Sequence, residues 1–207
     1  MKRCACLPLI SFVILGIFFL PARVTLAQTV EPDDFADHQN ISTAVPGVTL
    51  SALNDSFDSS VYAVQTNFGA STGNKVFGFK TAVNVWGTRW DQDGFTLQAT
   101  FATPVKTVSL DFVIGGGSIF GQLFAFNAAN VQLDAAFTPS GSGGTLTVSS
   151  TNPDISYVKA SFGGTGSADV AGLDHLVAMV PEPSVFGLLS AGLLSSAILF
   201  RKRIRAN

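Results

Sequence analysis

Four aspartates, Asp33, Asp34, Asp37 and Asp174, are the residues of this chain best suited to holding an ion. Calcium takes several carboxylate and carbonyl oxygens, and an ion held by these four would close the seam where the first and last strands of a domain pair. The first three also read as a solvated acidic lead-in, so a structural calcium is one of two readings. A second candidate is "VWGTRW", which contains the only two tryptophans, Trp86 and Trp90. On one strand, residues four apart face the same side. Two rings on one face stack on sugar rings, with Arg89 or Asp91 bonding the hydroxyls. The competing role is core packing, where tryptophan is usually found. "DQDG", Asp91 to Gly94, opens like a calcium loop but lacks the distal glutamate, and a turn between strands fits it better.

Catalysis has little to work with. Only His38 and His175 are available as imidazole bases, and no nucleophile motif accompanies them. Aspartates are plentiful enough for a glycosidase, yet nothing singles out a pair. Both cysteines, Cys4 and Cys6, precede the first apolar run, so the rest of the chain has no disulfide, thiolate metal site or cysteine nucleophile. An enzyme is not expected, and no cofactor is required beyond the possible calcium.

The elements that must position these residues read as strands. From Val48 onward, "SVYAVQT", "NKVFGFKT", "FTLQATF", "VKTVSLDFVI", "GQLFAFNA", "VQLDAAF", "GTLTVSS" and "ISYVKASF" are rich in Val, Phe, Thr and Leu, with period-2 patterning. In "FTLQATF" the spacing puts Phe95, Leu97, Ala99 and Phe101 on one side and Thr96, Gln98 and Thr100 on the other. "IGGGS", "NAAN", "PSGSGG" and "FGGTGS" supply turns. No stretch of the middle carries a capped 3.6-residue stripe. The fold class is therefore all-β, an antiparallel β-sandwich or jelly roll over 48–179, with the phenylalanines filling the space between two sheets. Residues 28–47 form a polar lead-in and the first strand region.

Charge separates the middle from the ends. Between Gln28 and Val180, five basic residues face thirteen acidic ones, a formal charge near −8. Such a domain repels phosphate backbones, so nucleic acid is not an expected partner. The remaining lysines and arginines flank apolar runs. Lys2 and Arg3 precede "LPLISFVILGIFFL", and Thr25 and Ala27 give a small-residue cleavage site, the pattern of a signal peptide over 1–27 cut between Ala27 and Gln28. At the other end, Val185 to Phe200 is one apolar segment, about 24 Å long as a helix and a marginal transmembrane span. Arg201, Lys202, Arg203 and Arg205 hold its end in the cytoplasm.

Between domain and span lies "VPEPS". Pro181, Glu182 and Pro183, the apolar run and the basic cluster come in that order, and the segment 180–207 resembles a PEP-CTERM sorting tail, also named after the C-terminal region of ice-binding proteins. The resemblance implies a Gram-negative bacterium that makes extracellular polysaccharide. It also implies an exosortase in the inner membrane that processes the tail once signal peptidase has acted. The middle is similar to the exported β domains found ahead of such tails, through "EPDDFADHQNISTAVPGVTLSA", "FTLQATFATPVKTVSLDF" and "ISYVKASFGGTGSADVAGLDHLV". Their usual close has a second acidic residue where this chain has His175. Together these readings describe an exported, non-enzymatic surface or matrix protein, transiently anchored in the inner membrane, with a structural or adhesive role. The alternative is a calcium-dependent carbohydrate-binding module acting on extracellular polysaccharide.

Overall fold

The structure, a computed structural model, describes residues 26–55, 57–92, 94–164 and 170–180. The signal peptide through residue 25, the Pro181–Pro183 triplet, the predicted span and the basic cluster lie outside the described residues. Among those described, no helix is long and apolar enough to cross a membrane.

Among the described residues twelve strands run in chain order: β1 (Leu26–Val30), β2 (Val48–Leu53), β3 (Tyr62–Gln65), β4 (Lys75–Ala82), β5 (Val85–Gly87), β6 (Thr96–Val105), β7 (Thr107–Gly115), β8 (Ile119–Phe126), β9 (Gln132–Phe137), β10 (Ser142–Ser149), β11 (Ile155–Gly164) and β12 (Val170–Val180). A 3₁₀ turn, Pro32–Asp34, follows β1. Every pairing is antiparallel, and the strands form two sheets. The first has the order β10-β7-β12-β4-β3, with β1 also on β12 and β5 also on β4; the second has the order β2-β6-β11-β8-β9. All eight segments read from period-2 patterning are strands, and in β6 Leu97, Ala99 and Phe101 are buried as the alternation requires.

One core joins the two sheets. Val108, Leu110, Phe112, Val148, Leu173 and Leu176 of the first pack with Leu97, Ala99, Leu123, Ala125, Val158 and Ala160 of the second. The lead-in belongs to this structure and is not a solvated appendage. Val30 and Ile41 are buried in the same cluster, and β1 pairs with β12 from Leu26↔Val180 to Val30↔Leu176.

The phenylalanines divide. Phe77, Phe79, Phe95, Phe101 and Phe112 fill the core as expected. In β8, however, Ile119, Gly121, Leu123 and Ala125 point inward, while Phe120, Phe124 and Phe126 lie on the opposite, part-exposed side. Gly121 is needed because the Phe112 ring occupies the space where its Cβ would sit. A Gly121→Ala variant is expected to lose about 2 kcal/mol through overpacking, read from its denaturation midpoint.

Candidate functional site

Asp174 sits where two strands share one edge of β12. β1 covers Leu176 to Val180, β4 meets the same strand at Leu173↔Phe77, and Asp174 lies between these regions. The register slips here, since Asp174 is opposite Asp111 and Leu176 opposite Leu110, so His175 is an extra residue, with φ of 43°. This is a β-bulge, which re-aims side chains locally.

Asp174 is fully buried, and hydrogen bonds account for its being tolerated. Its Oδ2 accepts from the Ser71 N–H and hydroxyl, both at 2.8 Å, and from the Thr72 N–H at 3.1 Å. Its Oδ1 accepts from the His175 N–H at 2.9 Å. Burial raises the Asp174 carboxyl above its ordinary value, the bonds from Thr72 and Ser71 oppose that shift, and the Glu31 charge adds a smaller upward push.

Glu31, the residue before the 3₁₀ turn, joins the same junction. Its Oε2 lies 2.6 Å from His175 Nδ1 and accepts from the Thr72 hydroxyl at 2.9 Å. A carboxylate only accepts, so Nδ1 carries the proton. Asp33 Oδ1 accepts from the Asn74 and Lys75 N–H groups at 3.0 and 3.2 Å, with the Lys75 ammonium 4.0 Å away. Together the carboxylates clamp the connection between β3 and β4 onto both ends of the chain's strand array.

The four aspartates proposed for calcium are not gathered into one site. Asp174 and Asp33 serve the junction, Asp34 is exposed, and Asp37 accepts from the Gln65 N–H at 2.8 Å. Among the described residues, no three His, Cys, Asp or Glu side chains are placed to hold an ion together.

The junction also lacks hydrolytic wiring. The Ser71 hydroxyl donates to Asp174, and the His175 imidazole is bonded to Glu31, so serine and histidine do not form a nucleophile–base pair. A depression of about 260 Å³ beside it has Asp111 as its one lining carboxylate.

The tryptophans do not form a pair, which corrects the reading of "VWGTRW" as one strand. β5 ends at Gly87, and the chain then turns inward. Trp90 is 1 % exposed, its indole N–H donates to the Phe77 carbonyl at 2.7 Å, and its ring meets Phe79 edge-on. It is a core residue. Trp86 is half-buried and stacks on His38 with ring centroids 3.8 Å apart. Arg89 and Asp91 bond each other, at 2.9 and 3.2 Å, and are not held apart as sugar contacts. Asp93 of "DQDG" lies outside the described residues.

A surface that sequence reasoning missed lies on the outward side of the second sheet. Phe126 and Tyr157 are stacked at 4.9 Å and 9°, and Phe137, 53 % exposed, contacts Phe124 and Phe120 at 5.7 and 6.3 Å. Lys159 Nζ lies 5.7 Å from the Phe126 ring and 5.8 Å from that of Tyr157. Gln98 and Gln122 share the face, bonding the hydroxyls of Thr100 and Ser161 at 3.2 and 3.5 Å. The available signal was "IFGQLFAF", whose larger alternate residues are aromatic and whose smaller ones fit a crowded core.

These features define an all-β protein of two antiparallel sheets with a polar clamp at one junction and an aromatic outer face. No protein-family model matches the chain, and no curated protein matches it. Among solved structures, it is similar to the K2 cleaved adhesin domain of Lys-gingipain, with a TM-score of 0.45 and 12 % identity, covering 74 % of this chain and 99 % of that one.

Proposed function

We propose that this chain is an exported, non-enzymatic protein of the cell surface or extracellular matrix, structural or adhesive in role and sorted through its PEP-CTERM tail. The observation that carries this reading is the pairing of the first and last strands. Leu26 lies opposite Val180, so the expected cleavage between Ala27 and Gln28 falls on a strand whose partner, β12, leads in sequence into the Pro181–Pro183 triplet. Sorting by processing at both ends requires two bonds that are reachable while the core stays closed. The β1–β12 pairing brings the sequence positions next to both expected processing points onto neighbouring strands. Cleavage after Ala27 removes two of the β1 pairs and leaves Gln28↔Ala178, Thr29↔Val177 and Val30↔Leu176, with buried Val30 still in place.

Signal peptidase acts first in this scheme. The inner membrane then holds the span Val185–Phe200 until exosortase processes the PEP region, and the domain passes to the surface or matrix. The test is the intact mass of the native protein from membrane and extracellular fractions, with peptide mapping of both ends. The extracellular form is expected to begin at Gln28 and to lack Val185 to Asn207. A protein found only in the membrane and still carrying "FRKRIRAN" overturns the sorting.

A further inference from the structure

We propose that the outward face of the second sheet is a polysaccharide-binding platform, on which the pyranose rings of an extended glycan stack against Phe120, Phe124, Phe126, Phe137 and Tyr157, beside Lys159. This deepens the adhesive reading by naming what is held, and rests on it only for where the glycan is met.

The first argument is the inversion of bulk. Burying a phenylalanine is favourable by about 1.5–3 kcal/mol, yet β8 turns Gly121 and Ala125 inward and three phenylalanines outward. A part-exposed run of large apolar side chains marks an interaction surface, whereas single exposed ones need no explanation. The second argument is what lies between the rings. Lys159 is opposite Phe124 and Gln98, Ser161 opposite Gln122, and Tyr157 opposite Phe126 and Thr100. Rings alternating with amides and hydroxyls suit a ligand whose faces are C–H and whose edges are hydroxyl.

Charge narrows the occupant. The region from Gln28 to Val180 is near −8, yet the outward positions of β2, β6, β8 and β11 carry no carboxylate and one cation, Lys159. A nucleic acid needs a basic groove alongside its stacking rings, and one lysine in an acidic domain does not make one. A neutral or carboxylated polysaccharide meets no such repulsion, and a uronate placed at Lys159 gains a pairing.

The test is affinity electrophoresis of the native protein purified from producing cells, in gels containing a neutral β-glucan, a galactomannan or alginate, which is a polyuronate. Retardation by at least one is expected, about tenfold weaker in Phe124→Ala and in Tyr157→Ala, the scale of an aromatic contact. Trp86→Ala leaves it unchanged, and Lys159→Gln weakens retardation by alginate more than by the neutral polymers.

A second measurement needs no variant. Nitration attacks phenolates, and burial together with Asp58, whose Oδ2 accepts from the Tyr62 hydroxyl at 2.6 Å, pushes the Tyr62 phenol up. Tyr62 is also buried, whereas the Tyr157 hydroxyl lies at the exposed outer face, so Tyr157 is the tyrosine the reagent reaches first, and the retarding polysaccharide is expected to protect it. Absence of retardation in all three gels overturns the proposal, as does retardation with Tyr157 unprotected. Concentration-dependent self-association that Phe124→Ala and Tyr157→Ala abolish would assign the face to a second copy of the chain and overturn it equally. None of these outcomes bears on the masses that test sorting.

Discussion

Trp90→Ala is expected to lower stability by about 3–5 kcal/mol, the range for removing a large ring from a core. The side chain is almost wholly buried, so truncation leaves a cavity in addition to the lost transfer free energy. Its ring packs on Phe79 at 4.9 Å and 70°, and its indole N–H bonds the Phe77 carbonyl. Phe77 is the residue through which β4 pairs with β12, so the loss falls where the first sheet is joined. Trp90→Phe separates the contributions: it keeps most of the packing and loses the hydrogen bond, and should cost about 1–2 kcal/mol. Trp86→Ala, at a half-buried ring stacked on one histidine, should cost about 1 kcal/mol. Urea midpoints measured at unchanged m give all three values. A Trp90→Ala loss no larger than that of Trp86→Ala would mean that the Trp90 ring is not a core element.

These two tryptophans show where the sequence could be read and where it could not. Period-2 patterning located the strands, because antiparallel sheets with one face on a core impose that alternation directly on side-chain polarity. It failed on β12, which is central to its sheet. Before the bulge the inward residues are Ala171 and Leu173; after it they are Leu176 and Ala178, so the parity changes at His175. A one-residue insertion of this kind cancels the periodic signal over the strand. β1 was legible only in part: a first strand region was expected within 28–47, but "LAQTV" begins at Leu26, across the export cleavage pattern, and takes its strand character from pairing with β12, which is distant in sequence. The aromatic face was missed because alternation reports that two faces differ and does not say which is inward. In β8 the space left beside Phe112 decides the matter in favour of Gly121.

Asp174 yields the other large effect, and its size depends on pH. Asp174→Ala removes the acceptor for the N–H groups of Ser71, Thr72 and His175 and should cost about 3 kcal/mol at neutral pH, because three part-buried donors lose their partner at once. Asp174→Asn keeps the shape but turns an N–H₂ toward groups that are themselves donors, so it is not a silent replacement. The wild-type carboxyl has its pKa raised from 3.8, chiefly by burial. Between 3.8 and that higher folded value, the folded state binds more protons than the unfolded state. This group's contribution is therefore fully present below the unfolded value and is lost as pH rises through the folded one. Stability of the wild type relative to Asp174→Asn, followed by urea midpoints from roughly pH 7 down to pH 3, is expected to increase on acidification. A decrease over the same range would mean that the hydrogen bonds from Thr72 and Ser71 outweigh burial and hold the carboxylate ionised. The junction would then be a charge-stabilised clamp, weakening in acid as Asp174 takes up its proton.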